Sequence, residues 1–112
     1  MINYNGKIFR LVESSSNGEV SEETRFYYKQ REDIVWATYK GGVIRYGTLI
    51  GLVKPNGELH FSYQHVNQNN EIQTGKCFSE PEVLANGKLR LHEKWQWTFG
   101  DEAKGSSIVE EV

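Results

Sequence analysis

Two runs of the chain place reactive groups on an otherwise apolar surface. Over 88–99, Leu89, Leu91, Glu93, Trp95, Trp97 and Phe99 fall on one side of an extended chain. Lys88, Arg90, His92, Lys94, Gln96 and Thr98 fall on the other. The first side is the one to be buried, so Glu93 is a carboxyl among leucines and tryptophans. Such a group finds a partner or stays protonated. Over 59–66, Leu59, Phe61, Tyr63 and His65 share a side, which puts a phenol and an imidazole on the apolar surface too. Across a closed interior Glu93 is within reach of either. Tyr63, His65, Glu93, Trp95 and Trp97 are therefore the candidate ligand-binding residues: a few polar groups in an aromatic-lined cavity. The same residues admit a plainer reading, in which Glu93 sits in a structural ion pair or near a rim. His65 would then belong to a hydrogen-bond network that fixes strand register.

Other chemistries find less purchase. His60 and His65 are five apart and point to opposite faces, as do His92 and Glu93, and no His-x-His spacing occurs. Cys77 is the single cysteine. It becomes a nucleophile only with a base such as His65 beside it, and is otherwise a buried thiol. Gly41-Gly42 is not followed by Gly-Lys-Ser/Thr, and no Gly-x-Ser-x-Gly is present. No catalytic residue, metal ligand or cofactor is assigned.

The elements that must position these groups read as strands. Asn-Gly occurs at Asn5-Gly6, Asn17-Gly18, Asn56-Gly57 and Asn86-Gly87, and the last two lie between alternating apolar runs. Both residues tolerate positive φ, so the pair marks tight hairpins. Strands are expected over 6–12, 24–31, 34–39, 43–53, 59–66, 72–79, 88–99 and 106–112. Bends are expected at Gly47 and Gly51. Pro81 is expected to break the sixth strand, leaving a brief pairing at Val83-Leu84. The polar stretch 13–23 is a loop with room for one helical turn capped by Ser21. With fourteen aromatic residues and three alanines, the composition favours pleated surfaces over helices. Eight short antiparallel strands in sequence, with short connections, tend to close and so remove their edges. The expected fold is all-β, an up-and-down meander barrel of the broad kind seen in lipocalins and avidins, over 1–112 as one domain. A two-sheet sandwich is the alternative.

At 112 residues the chain supports one core. Its net charge of −2, with lysines and arginines scattered, offers no basic stripe for nucleic acid. The longest apolar run, 49–53, is far too short for a membrane-spanning helix. The start of the chain has no signal pattern, and one cysteine permits no internal disulfide. The cytoplasm is the expected compartment.

The segments Tyr63-Gln64-His65-Val66-Asn67, Thr74-Gly75-Lys76-Cys77, Pro81-Glu82-Val83-Leu84, Asn86-Gly87 and 90–98 together resemble a small bacterial family of similar length. Its members are largely uncharacterised, and many carry the label N-acetylglutamate synthase. The resemblance covers nearly the whole chain and implies no particular catalytic residues. An acetyltransferase holds the pyrophosphate of acetyl-CoA on an Arg/Gln-x-x-Gly-x-Gly/Ala loop at a helix N-terminus. The chain contains no such run.

Three functions follow for test. The first is binding of a small, partly apolar molecule inside the barrel or at its mouth. The second is a protein-interaction role as a homodimer, with Trp36, Tyr39 or Tyr46 as exposed anchors. The third is catalysis by Glu93, His65 and Cys77, which requires those groups to converge.

Overall fold

The computed structural model describes residues 2–112. Eight strands follow one another: β1 (Ile8–Ser14), β2 (Arg25–Arg31), β3 (Ile34–Gly41), β4 (Ile44–Val53), β5 (Leu59–Asn67), β6 (Ile72–Val83), β7 (Leu89–Trp97) and β8 (Lys104–Glu111). Each pairs antiparallel with the next, and β8 returns to β1, so the sheet closes as a barrel. Every expected strand is present, and no helix occurs among the described residues. The segment around Ser21 is a simple turn, closed by the Thr24 amide donating to the Ser21 carbonyl at 3.0 Å. An eight-stranded barrel is just wide enough for side chains to fill it or for one small ligand.

Turn chemistry explains the tightest connections. In both the β4–β5 and β6–β7 hairpins the asparagine caps the turn and the glycine takes positive φ. Asn56 accepts from the Glu58 amide and Asn86 from the Lys88 amide, each at 3.0 Å, while Gly57 and Gly87 sit at φ 89° and 85°. Asn17-Gly18 differs: it lies inside the β1–β2 loop, where the Asn17 amide donates to the Lys104 carbonyl at 2.9 Å.

Three local expectations are corrected. The sheet irregularities lie between Leu11 and Glu13, Tyr39 and Gly41, and Ile44 and Tyr46, whereas Gly47 and Gly51 pair in regular register. β6 runs through Pro81 to Val83. Beyond Ser79 it pairs only with β7, so Pro81 stands on a local edge, where a missing N–H is tolerated. Tyr39 is buried, not an outer anchor, whereas Trp36 and Tyr46 are exposed.

One end of the barrel is filled. Phe9, Tyr28, Val35, Leu59, Leu91 and Val109 pack there with almost no solvent contact. Tyr4, from the segment before β1, caps them. Its hydroxyl donates to the Gly57 carbonyl at 2.6 Å and its amide to the Gln30 side chain at 2.8 Å. Fully burying such a side chain contributes about 1.5–3 kcal/mol. This end is the plug against which the opposite end is built.

Candidate functional site

At the other end the lumen stays open. The side chains of Phe26, Tyr39, Leu49, Phe61, Tyr63, His65, Cys77, Glu93, Trp95, Trp97 and Ser107 line a concavity, with Gly18, Glu19 and Val20 of the β1–β2 loop across its mouth. The centres of water-sized spheres have about 60 Å³ of room in it. One water needs roughly 10–15 Å³ on that measure, so the concavity has room for several waters or for the end of a small molecule.

The hollow has a cause in the register. Tyr39 stands opposite Gly47, Tyr63 opposite Gly75 and Trp95 opposite Gly105. In each pair a Cβ on the glycine would collide with the facing ring. The rings therefore lie back against the neighbouring strand instead of crossing the lumen. The glycines are wall positions and not bends.

Glu93 lies at the floor of this concavity, on β7. The Ser107 hydroxyl donates to its Oε1 at 2.9 Å and the Ser79 hydroxyl to its Oε2 at 3.1 Å. No ion pair among the described residues includes it, so of the plainer reading's two alternatives, ion pair or rim, the ion pair is absent. Burial pushes its carboxyl up to about 7, and the hydroxyls of Ser107 and Ser79 partly offset that rise. Cys77 is buried beside it, its Sγ 3.8 Å from the Ser79 hydroxyl, and burial pushes the thiol well up. A protonated thiol is a poor nucleophile.

A second cluster stands at the rim. His65 Nδ1 pairs with the Tyr39 hydroxyl at 2.9 Å, and Nε2 with Glu19 at 2.8 Å. Asn67 donates to the other oxygen of Glu19 at 3.1 Å and to Glu71 at 2.9 Å. This chain ties the β1–β2 loop to β3 and β5. Burial also raises the phenols of Tyr39 and Tyr63, keeping both protonated.

The five residues singled out from the sequence thus line one cavity, but they do not form one cluster. His65 bonds to Tyr39 and Glu19, Glu93 bonds to two serines, and no hydrogen bond joins His65, Glu93 and Cys77. Trp95 and Trp97 stack at 5.6 Å, Trp97 and Phe99 at 4.9 Å, and all three rings are half-buried. The strongly alternating run therefore changes from dry core at Leu91 to an accessible wall at Trp97. Residues the sequence reading missed are Glu19, Tyr39, Ser79 and Ser107. A serine inside a strand carries no pattern, and a loop carboxylate cannot be placed before the loop is.

The family model for avidin-like proteins matches residues 2–112. The chain belongs to the avidin-like family. Among curated proteins no sequence matches it. The match spans every strand of this avidin-like barrel, so plugged end and open end are both parts of the family's domain.

Proposed function

We propose that this avidin-like barrel binds a small, partly apolar molecule in its open end. The observation that carries the reading is the hollow itself: aromatic rings held against the wall over glycines, with a buried carboxyl at the floor. A protein under pressure only to be stable fills its interior to crystal-like density. Here the filled half shows what this sequence does when nothing needs the space. Tyr63, Trp95 and Trp97 supply apolar contact, and Glu93 and His65 supply orientation. Native mass spectrometry of the protein purified from its own host is expected to show a non-covalent adduct of low mass. Bare protein under gentle ionisation, with no thermal stabilisation by any small-molecule collection, would overturn the reading.

A second reading has its own observation. On the outer face of β3 and β4, Ile34 pairs with Leu52 and Trp36 with Ile50, and all four side chains are exposed. This contiguous apolar patch supports a homodimer formed face to face. Light scattering is expected to give a dimer mass that Ile50→Lys halves; a monomer at all concentrations rules it out. An N-acetylglutamate synthase activity finds no support in the site, since every described element is a strand and none offers a helix N-terminus to a pyrophosphate. Calorimetry with acetyl-CoA is expected to give no binding heat.

A further inference from the structure

The floor of the open cavity holds a carboxyl with no cationic partner. Glu93 lies at its floor, Glu19 is paired with His65 at its rim, and among the described residues no lysine or arginine lines it. Each oxygen of Glu93 accepts one serine hydroxyl. A carboxylate oxygen has two acceptor sites, so each retains one for a donor arriving from the lumen. The walls between floor and rim are the rings of Tyr63, Phe61 and Trp95, whose faces attract cations.

Resting on the small-ligand reading above, we infer that the cavity takes a small organic cation, a protonated amine or amidinium on an apolar body. Its N–H groups would lie on Glu93 and its body against Trp95 and Tyr63. An anion of the same shape would meet the Glu93 carboxyl at the floor with no cationic side chain bonded to it. A neutral isostere would keep the ring contacts and lose the ion pair.

The carboxyl also behaves as a group held for a partner. In the unliganded barrel its ionisation is opposed by burial, since only neutral hydroxyls support it. A cation at the floor supplies the missing opposite charge and draws the proton off. Facing Glu93 are Cys77 and Ser79 from β6, Ser107 from β8, and the phenols of Tyr28, Tyr39 and Tyr63 from β2, β3 and β5. Burial keeps that thiol and those phenols protonated at neutral pH, so Glu93 is the group at the floor that changes charge there. The other titratable set is His65 with Glu19 at the rim.

The test uses three ligands of one shape: benzylamine, benzyl alcohol and benzoate, titrated calorimetrically into the intact protein. The expected order is amine over alcohol by at least about tenfold, the size of one modest charge-assisted bond, with benzoate weakest. Amine affinity should rise about tenfold from pH 6 to pH 8 as Glu93 ionises. At pH 7, runs in buffers of different ionisation enthalpy should show release of roughly half a proton per amine bound. Glu93→Gln, confirmed folded by its thermal transition, should bring the amine-to-alcohol ratio within about twofold and abolish the proton release. Equal binding of amine and alcohol by the unaltered protein overturns the cation assignment while leaving small-ligand binding intact. Persistence of the proton release in Glu93→Gln moves the effect to His65 and Glu19 and overturns it as well. Failure of all three probes to bind, with no adduct in the native spectrum, removes the small-ligand reading itself.

Discussion

At the plugged end of the barrel, Tyr4, Phe9 and Tyr28 stand ring against ring, with centroids 6.5, 6.1 and 5.0 Å apart. At the open end, Tyr39, Tyr63 and Trp95 stand ring against glycine. Both ends are rich in aromatics, yet one is solid and the other hollow. What separates them is that a glycine stands across the ladder from each of those open-end rings and from neither Phe9 nor Tyr28. A ring facing other rings in the lumen fills space. A ring laid over a bare Cα coats the wall and leaves the axis free. Aromatic content alone therefore says nothing about whether a barrel is open; cross-strand register decides it.

Mutations at the two ends can break this contrast. The largest effect is expected from Phe9→Ala, which leaves a cavity in the solid half and should cost about 3–5 kcal/mol in urea unfolding. Trp97→Ala at the rim should cost under about 1 kcal/mol, because its ring is already half in solvent. Similar losses at both positions would show that the open end is as tightly built as the plug.

Glu93→Gln comes next and has the opposite sign. The carboxyl titrates near 4.5 when unfolded and near 7 when folded. The folded chain thus holds the proton more tightly, and the group's contribution to stability is fully present below about pH 4.5 and lost as pH rises to about 7. Above that, its ionisation costs about 3 kcal/mol, so the glutamine variant should be more stable by that order at pH 8 and nearly unchanged at pH 4. A variant less stable at pH 8 would mean that the ionised carboxylate is compensated by something in the unliganded barrel. Gly75→Ala should follow, at about 1–3 kcal/mol, by forcing the Tyr63 ring off the wall. It should also remove the adduct seen by native mass spectrometry, converting the open end toward the closed one. The smallest effect belongs to Glu19→Gln. Global unfolding should change by under about 0.5 kcal/mol, while exchange of the Gly18 amide, bonded to the Ser15 carbonyl, quickens about tenfold as the loop's tie to His65 weakens.

Much of the fold was legible because strands with one wet face alternate. The parity of Leu89, Leu91 and Glu93 placed them inside, and Asn56-Gly57 and Asn86-Gly87 marked their hairpins through backbone chemistry that needs no tertiary context. β3 defeated the same reasoning. Both of its faces are apolar, with Ile34 and Trp36 on one and Val35, Ala37 and Tyr39 on the other, so nothing local told Tyr39 that it faced inward. Pro81 reads as a break because its tolerance depends on β5 beginning only at Leu59, a fact about a different strand. The site was legible in part for a related reason. Tyr63, His65 and Glu93 announce themselves as polar residues on apolar faces. Their partners do not: Ser79, Ser107 and Glu19 are ordinary until the barrel closes and brings β8 and the β1–β2 loop beside them. The glycines mislead because the effect of a missing Cβ shows only when the residue across the ladder is known.

The stacked indoles of Trp95 and Trp97 have a practical corollary. Two chromophores 5.6 Å apart share their excitation, and the resulting couplet in circular dichroism depends on their mutual tilt. The remaining tryptophan, Trp36, sits on the outer wall, away from the lumen. Occupancy of the lumen can therefore be followed optically in the unlabelled protein, with the rim of the barrel as its own reporter.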